Sequence, residues 1–280
     1  FNYMENLKKT NADLIKPRAQ LLKLLSPVSK LENFVLGVVG ALIFFILWEI
    51  AHHLTPAASS RFLPSPRDVF LTLYYLIVEK EFLSDVGISA YRIFASFFAA
   101  CIVAIPLGIA MGCFSRLRAL INPTVSGWRY LPAASFIPLL LVWFGPTDTQ
   151  KLALLFLGVI FFLIALILDA TEAVQKELIE AAMTMGASRR EIVINVVGRA
   201  AMPAIIDAMR NMIAVGYTYL VIAEIVAAQD GIGAVMMRAG RFLKVDIIMA
   251  GILAIGILGV LTDILFRIVA YYLLPWNRKR

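Results

Sequence analysis

From Phe34 onward the chain returns repeatedly to apolar runs too long for a soluble core, and this repetition constrains its class more than any single residue. The runs lie at Phe34 to about Ala51, Ile93 to Phe114, Leu152 to Asp169, about Ala204 to Ala228, and Ile247 to about Tyr272. Each is close to the roughly 20 residues that carry an α-helix across about 30 Å of hydrocarbon. Lipid offers no partner to backbone N–H and C=O groups, so such runs must close their hydrogen bonds internally. The expected fold is all-α and polytopic. A composition of 61% hydrophobic and 16% charged residues excludes an ordinary soluble domain.

One further run, Leu131 to Phe144, is too short to cross alone and carries Pro132 and Pro138 with Ser135 between them. Irregular backbone at membrane depth is tolerated where it is buried in protein or lines a watery cavity. The segment therefore either faces a pathway or is a kinked packing helix. Counting it gives about six transmembrane helices and puts both termini on one side. The basic amphipathic arm 1–32, the Arg116/Arg118 loop, the polar island at 175–203 and the cationic tail 276–280 are then all expected to be cytoplasmic, around a membrane domain at 33–275. The net charge of +7 belongs to this topology, since the cations sit between apolar runs rather than in a patch that would hold nucleic acid.

Other features are read more briefly. Leu63-Pro64-Ser65-Pro66 stops one helix and restarts another, and Val69, Leu73 and Leu76 then share one side of an amphipathic segment, Asp68 to Glu79. Gly108 and Gly112 form a small-xxx-small pair for a close neighbour. Asp207 and Arg210 are spaced to pair. Asp230-Gly231-Ile232-Gly233 is a loop before a short helix through Arg238 and Arg241. Cys101 and Cys113 read as buried hydrophobes, and the adjacent His52 and His53 as interfacial; neither pair has metal-site spacing. No secretory signal is evident.

The island has its own grammar. Ile179, Ala182 and Met183 recur at helical spacing, and Gly186 suits a left-handed C-terminal position. Ser188 with Glu191 makes a capping box for a second helix striped by Ile192, Val193, Val196 and Val197. A helix pair with one apolar face and no core of its own needs something to dock into.

Glu180-Ala181-Ala182, three residues, Gly186 and a proline-ended segment resemble the EAA loop of membrane permease subunits of ABC importers. Leu63-Pro64-Ser65-Pro66, Ile105-Pro106-Leu107-Gly108 through Gly112, Ile137-Pro138-Leu139-Leu140 through Gly145, and Ala223-Glu224 extend the resemblance to the branch handling nitrate, alkanesulfonate, taurine and bicarbonate. The resemblance implies a type I importer permease fold in the cell inner membrane and a transport subunit rather than an enzyme. It implies a second permease copy, a substrate-binding protein and cytoplasmic ABC ATPase subunits as partners. ATP and Mg would be bound by the ATPase, and this chain has no Gly-rich phosphate loop ending in Lys-Ser/Thr.

The loop would dock into the ATPase through Glu180, Ala181, Ala182, Gly186, Ala187, Ser188 and Arg189. The pathway residues expected are Ser135, Pro138, Tyr217, Thr218 and Glu224. The hydroxyls among them either meet an anion or satisfy neighbouring carbonyls, and Glu224 is expected to pair with Arg92 or a loop cation as part of an outer gate. Two departures stand out: Gly198-Arg199 replaces the family's Leu-Pro, which would let a straighter helix run on to Ala201, and Tyr217 stands where taurine-type relatives often have Trp. A stand-alone secondary transporter or a membrane-embedded enzyme is the alternative, but neither internal repeats nor paired carboxylates or His clusters are visible.

Overall fold

The computed structural model describes residues 28–56, 60–226 and 229–277. Most of the basic arm, up to residue 27, and the cations at 278–280 lie outside the described residues. Among the described residues all regular structure is helical. Helix α1 (Lys30–Leu54) opens on a capping box at Ser29, whose hydroxyl accepts from the Glu32 N–H at 3.1 Å while the Glu32 carboxylate accepts from the Ser29 N–H at 2.8 Å. The described residues up to Ala51 form one compact unit, and those from His52 onward a second. The apolar side chains of α1 are exposed along its length, as in a helix whose solvent is lipid.

In the second unit Ser65 caps α2 (Pro66–Glu79), accepting from the Asp68 N–H at 3.1 Å, and Pro66 occupies a first-turn position where no N–H is needed. Val69, Leu73 and Leu76 are buried on one side, as their spacing predicts. Two long helices then dominate: α3 (Phe82–Cys113) and α6 (Asp148–Glu172). The small-xxx-small pair is where they touch. A methyl added at Gly108 would stand 2.7 Å from Ile167 Cγ2, and one at Gly112 would stand 2.5 Å from Thr171 Cγ2. Only a missing side chain permits that approach.

The same contacts give direction. Gly112 meets Thr171 at one end, and Arg92 meets Asp148 at the other, so α3 and α6 run parallel. Two parallel neighbours require the chain to cross back once between them. The return is made by α4 (Ser115–Trp128), a 3₁₀ turn at Ala133–Phe136 and the short α5 (Ile137–Phe144), bent by 82° at the break. This corrects the expected Arg116/Arg118 loop, which is helical, and supplies the length that the run at Leu131 lacks. Pro132 excludes helical geometry before it, and Trp128 stacks on Phe136 and Phe161 with centroids 5.6 and 5.2 Å away, fixing the bend against α6.

Beyond α7 (Lys176–Thr184), helix α8 (Arg189–Val226) runs back antiparallel to α3; α9 (Ile232–Arg241) and α10 (Val245–Leu273) complete the unit. Tyr219 lies where a side chain at Gly158 would be, at 2.5 Å, which brings α8 tight against α6. Ile93, Phe97, Leu154, Val159, Ile205 and Leu220 fill the seam of α3, α6 and α8. Among the described residues five helices are long and apolar enough to cross a membrane, or six if the bent pair is one span.

Candidate functional site

The island folds by local rules. Helix α7 ends in a left-handed Gly186 with φ +80°; its N–H donates to the Met183 carbonyl at 3.0 Å, and the Ala187 N–H donates to the Ala182 carbonyl at 3.0 Å. This pair of bonds satisfies carbonyls that a helix end otherwise leaves bare. Ser188 then caps α8 reciprocally: its N–H donates to the Glu191 carboxylate at 2.8 Å and its hydroxyl accepts from the Glu191 N–H at 3.4 Å.

The expectation that the helix pair lacks a core of its own needs correction. Ala182, Ile192 and Val197 bury one another, with Val174, Ile179, Ala187 and Val196 packed around them. The apolar stripe is thus partly spent within the chain. What remains outside is a different set: Leu178, Met183, Met185 and Ile194 are exposed, together with Glu180, Ala181, Gly186, Ser188 and Arg189. A groove of about 320 Å³ runs beside them to the ends of α3 and α6, lined by Phe114, Thr171, Ile179, Met183, Arg189 and Val193 among others. Arg118 and Glu172 form an ion pair at this end of the bundle.

The second island helix does not stop before the fifth run, and not even at Ala201. Residues Ile192–Val197 form a wide π turn, closed by the Gly198 N–H on the Val193 carbonyl, and the α-helix continues unbroken through Pro203. A side chain at Gly198 would press to 3.2 Å on that carbonyl, so Gly fits the wide turn where a larger residue would crowd it. Pro203 therefore tolerates a helical position instead of marking the island's end.

At the opposite end of the bundle an ion cluster joins four segments. Arg92 of α3 is fully buried. Its Nη1 donates to Glu224 Oε1 at 2.9 Å and to the Asp230 carbonyl at 3.1 Å, its Nε and Nη2 donate to Asp148 at 2.9 and 2.5 Å, and Nη2 also bonds the Asp230 carboxylate. Lys151, also buried, reaches Asp230 at 3.1 Å. Ser89 donates to Glu224 at 2.7 Å and accepts from the Ile232 N–H at 3.0 Å. The loop backbone joins in: the Gly231 N–H donates to Asp85 at 2.7 Å, and the Gly233 N–H to Glu224 Oε2 at 2.8 Å. Gly231, at φ +94°, has no room for a side chain between the Glu224 carboxylate and the Arg92 guanidinium. Asp230, outside the spanning helices, is held below the usual carboxylate range, first by its bond to Arg92 and then by Lys151.

The expected pathway residues do not gather in one place. Glu224 belongs to the ion cluster, paired with Arg92. Tyr217 is buried, and its hydroxyl meets Thr262 Oγ1 at 2.6 Å. Ser135, Pro138 and Thr218 are exposed on the surface of the single chain. Sequence reading missed Asp148 and Asp230 as partners of Arg92, Lys151 as a partner of Asp230, and Asp263 as the second partner of Arg210. The Asp207–Arg210 pair is present at 3.1 Å. The only signal for the rest was their cost: charges in or beside apolar runs demand partners.

The described residues form an all-helical bundle with up to six candidate membrane spans. Over residues 104–279 the chain matches the family described as binding-protein-dependent transport system inner membrane component, and it belongs to that family. It is similar to the taurine transport system permease protein of Escherichia coli (strain K12), 31% identical over 94% of this chain and 96% of that one. It is also similar to a putative aliphatic sulfonates transport permease protein of Bacillus subtilis (strain 168), 26% identical over 98% and 96%. The bicarbonate transport system permease protein of Synechococcus elongatus is 25% identical over 84% and 87%. Among solved structures, an inward-facing MetNI methionine ABC transporter chain shares the fold with a TM-score of 0.57 at 18% identity, covering 67% of this chain and 95% of that one.

Proposed function

We propose that this chain is the membrane-spanning subunit of an ATP-driven importer in the cell inner membrane, with both termini cytoplasmic. Two copies about a two-fold axis enclose a pathway for a small anion handed over by a substrate-binding protein. A separate ATPase subunit binds ATP and Mg; this chain transports and catalyses no reaction. Support for an anionic substrate comes from the taurine, sulfonate and bicarbonate relatives.

The observation that carries the reading is the doubly capped turn between Glu180 and Arg189. Its bonds fix the backbone, while Leu178, Met183 and Met185 stay bare, with Met185 81% exposed. A rigidly capped turn with exposed apolar anchors suits a groove on a partner, and α8, which leaves that turn at Arg189 and runs on through the π turn, passes a push directly to a spanning helix. Glu180 and Arg189 supply polar contacts at the rim of that groove. At the other end, the Arg92–Glu224 cluster acts as the outer gate.

The test is a cysteine at Met185 in the reconstituted complex. It should cross-link to the ATPase subunit and do so at a rate that changes with nucleotide. Cross-linking to lipid-facing probes alone would overturn the docking assignment.

A further inference from the structure

Helix α10 has 29 residues and is about 43 Å long, more than hydrocarbon alone requires. Tyr271 and Tyr272, both exposed, set a membrane interface at its far end, and about 30 Å of hydrocarbon counted back from them ends near Gly251. Asp246 lies more than a turn nearer the start of the helix, among headgroups, on the end that the importer reading places outside.

Asp246 ties α2 to that level. Thr72, midway along α2, donates to its carboxylate at 3.2 Å. The 14 residues of α2 make about 21 Å, so an upright helix centred there would sink one end about 10 Å toward the hydrocarbon. That end would carry Arg67 and Asp68, or Glu79 and Lys80, a cost that an α2 lying flat avoids. Its Val69, Leu73 and Leu76 are buried in the bundle, while Phe70, Leu71, Tyr74 and Val78 are exposed on the other side. At headgroup level such a side beds into the interface.

The turn between α9 and α10 stands directly ahead of Asp246, at the same level. Helix α9 closes with the Lys244 N–H on the Ala239 carbonyl at 3.0 Å and the Leu243 N–H on the Gly240 carbonyl at 3.1 Å, which puts Leu243 in left-handed geometry at φ 55°. Glycine fits this position, and a leucine there is strained. What the strain brings is display: Phe242 is 75% and Leu243 65% exposed. Arg238, Arg241 and Lys244 are exposed around them, and no acidic residue occurs from 231 to 245. Apolar tips among cations match a layer of phosphates above acyl chains. A soluble protein would reach them only by displacing headgroups already at that depth.

We infer that α2 and the turn at 241–244 form one anchor for anionic phospholipid, with Phe242 and Leu243 below the phosphates and Arg241 and Lys244 on them. Only the naming of the outer leaflet rests on the importer reading.

Spin labels at Tyr74→Cys and Phe242→Cys, each with Cys101 and Cys113 replaced by alanine, read the depth of both sites in the full chain. The vesicles are phosphatidylcholine with phosphatidylglycerol, and neither ATPase nor binding protein is needed. Both labels should collide more with oxygen, which concentrates among acyl chains, than with a water-soluble nickel chelate. Leaving out phosphatidylglycerol, or Arg241→Gln with Lys244→Gln, should shift the balance at position 242 toward the chelate about tenfold. Glycerol phosphate, the headgroup without acyl chains, should change nothing when added. Should the double variant fail to fold, Leu243→Gly, which relieves the backbone and removes an apolar tip, should also admit the chelate there. Labels open to the chelate in the anionic vesicles would give this surface to a soluble partner and overturn the anchor. A depth indifferent to lipid charge and to these variants, or one that glycerol phosphate alters, overturns it too. The importer reading fails by a different result, uptake that needs no ATP.

Discussion

Arg92 donates to Glu224 at 2.9 Å in a place where neither side chain reaches solvent. The two lie on antiparallel helices, 132 residues apart, and the bond is the centre of a cluster that also holds Asp148, Asp230 and Lys151. A buried charge of this kind is tolerated only because every part of the guanidinium has an acceptor. Arg92→Met is expected to lower stability by about 3–5 kcal/mol, since it leaves the buried Glu224 carboxylate with Ser89 and the Gly233 N–H as donors but without its cation. Thermal unfolding in detergent checks this, and Glu224→Gln, which keeps the shape and removes one charge, should lose less.

The loop at Asp230 should respond to acid. Its carboxyl is depressed in the folded state, chiefly by Arg92. Stability from this group is present above the unfolded carboxylate pKa and is lost as pH falls through the lower, folded value. Hydrogen exchange at Gly231 to Gly233 should therefore stay slow at neutral pH and accelerate only under strongly acidic conditions. In Asp230→Asn it should be faster at neutral pH and less dependent on acid.

The contact of α3 with α6 is expected to tolerate no added bulk. Gly112→Val places carbon where Thr171 already stands, and overpacking of this kind costs about 1–3 kcal/mol. Gly87→Ala is the control, because a methyl there meets nothing within 4 Å. Its melting temperature should match or exceed the parent's.

Gly186 separates backbone demand from crowding. A side chain there has open space, so a substitution acts through φ +80° alone within this chain. Gly186→Asn, which accepts left-handed geometry, should cost less than Gly186→Leu, which pays about 1–2 kcal/mol locally. If the turn docks on the ATPase, only the leucine variant should abolish co-purification while the chain remains inserted in the membrane.

What could be read from sequence is what neighbours in sequence decide. Ser188 and Glu191 cap a helix whatever lies beyond, Gly186 ends one, and Gly108 with Gly112 invites a close helix without naming it. The spans follow from apolar length, apart from the broken one. Arg116 and Arg118 read as a loop after the second run, yet they are helical, because α4 supplies the length α5 lacks. The ion cluster was beyond reach for another reason: Arg92, Asp148 and Asp230 meet only after three helices are in register. Its one legible pair was Glu224 with Arg92, expected because a carboxylate in an apolar run needs a cation. The π turn was likewise invisible, since Ile192 to Val197 fit an α-helical stripe equally well.

The central claim is that this chain moves a small anion only when an ATPase drives it through the turn at Glu180 to Arg189. Uptake of labelled taurine into proteoliposomes containing the chain, its ATPase subunit and its binding protein is the most direct measurement. Uptake that requires ATP, and that Gly186→Leu abolishes, is the expected result. Uptake by the chain alone, without ATP or ATPase, would contradict it.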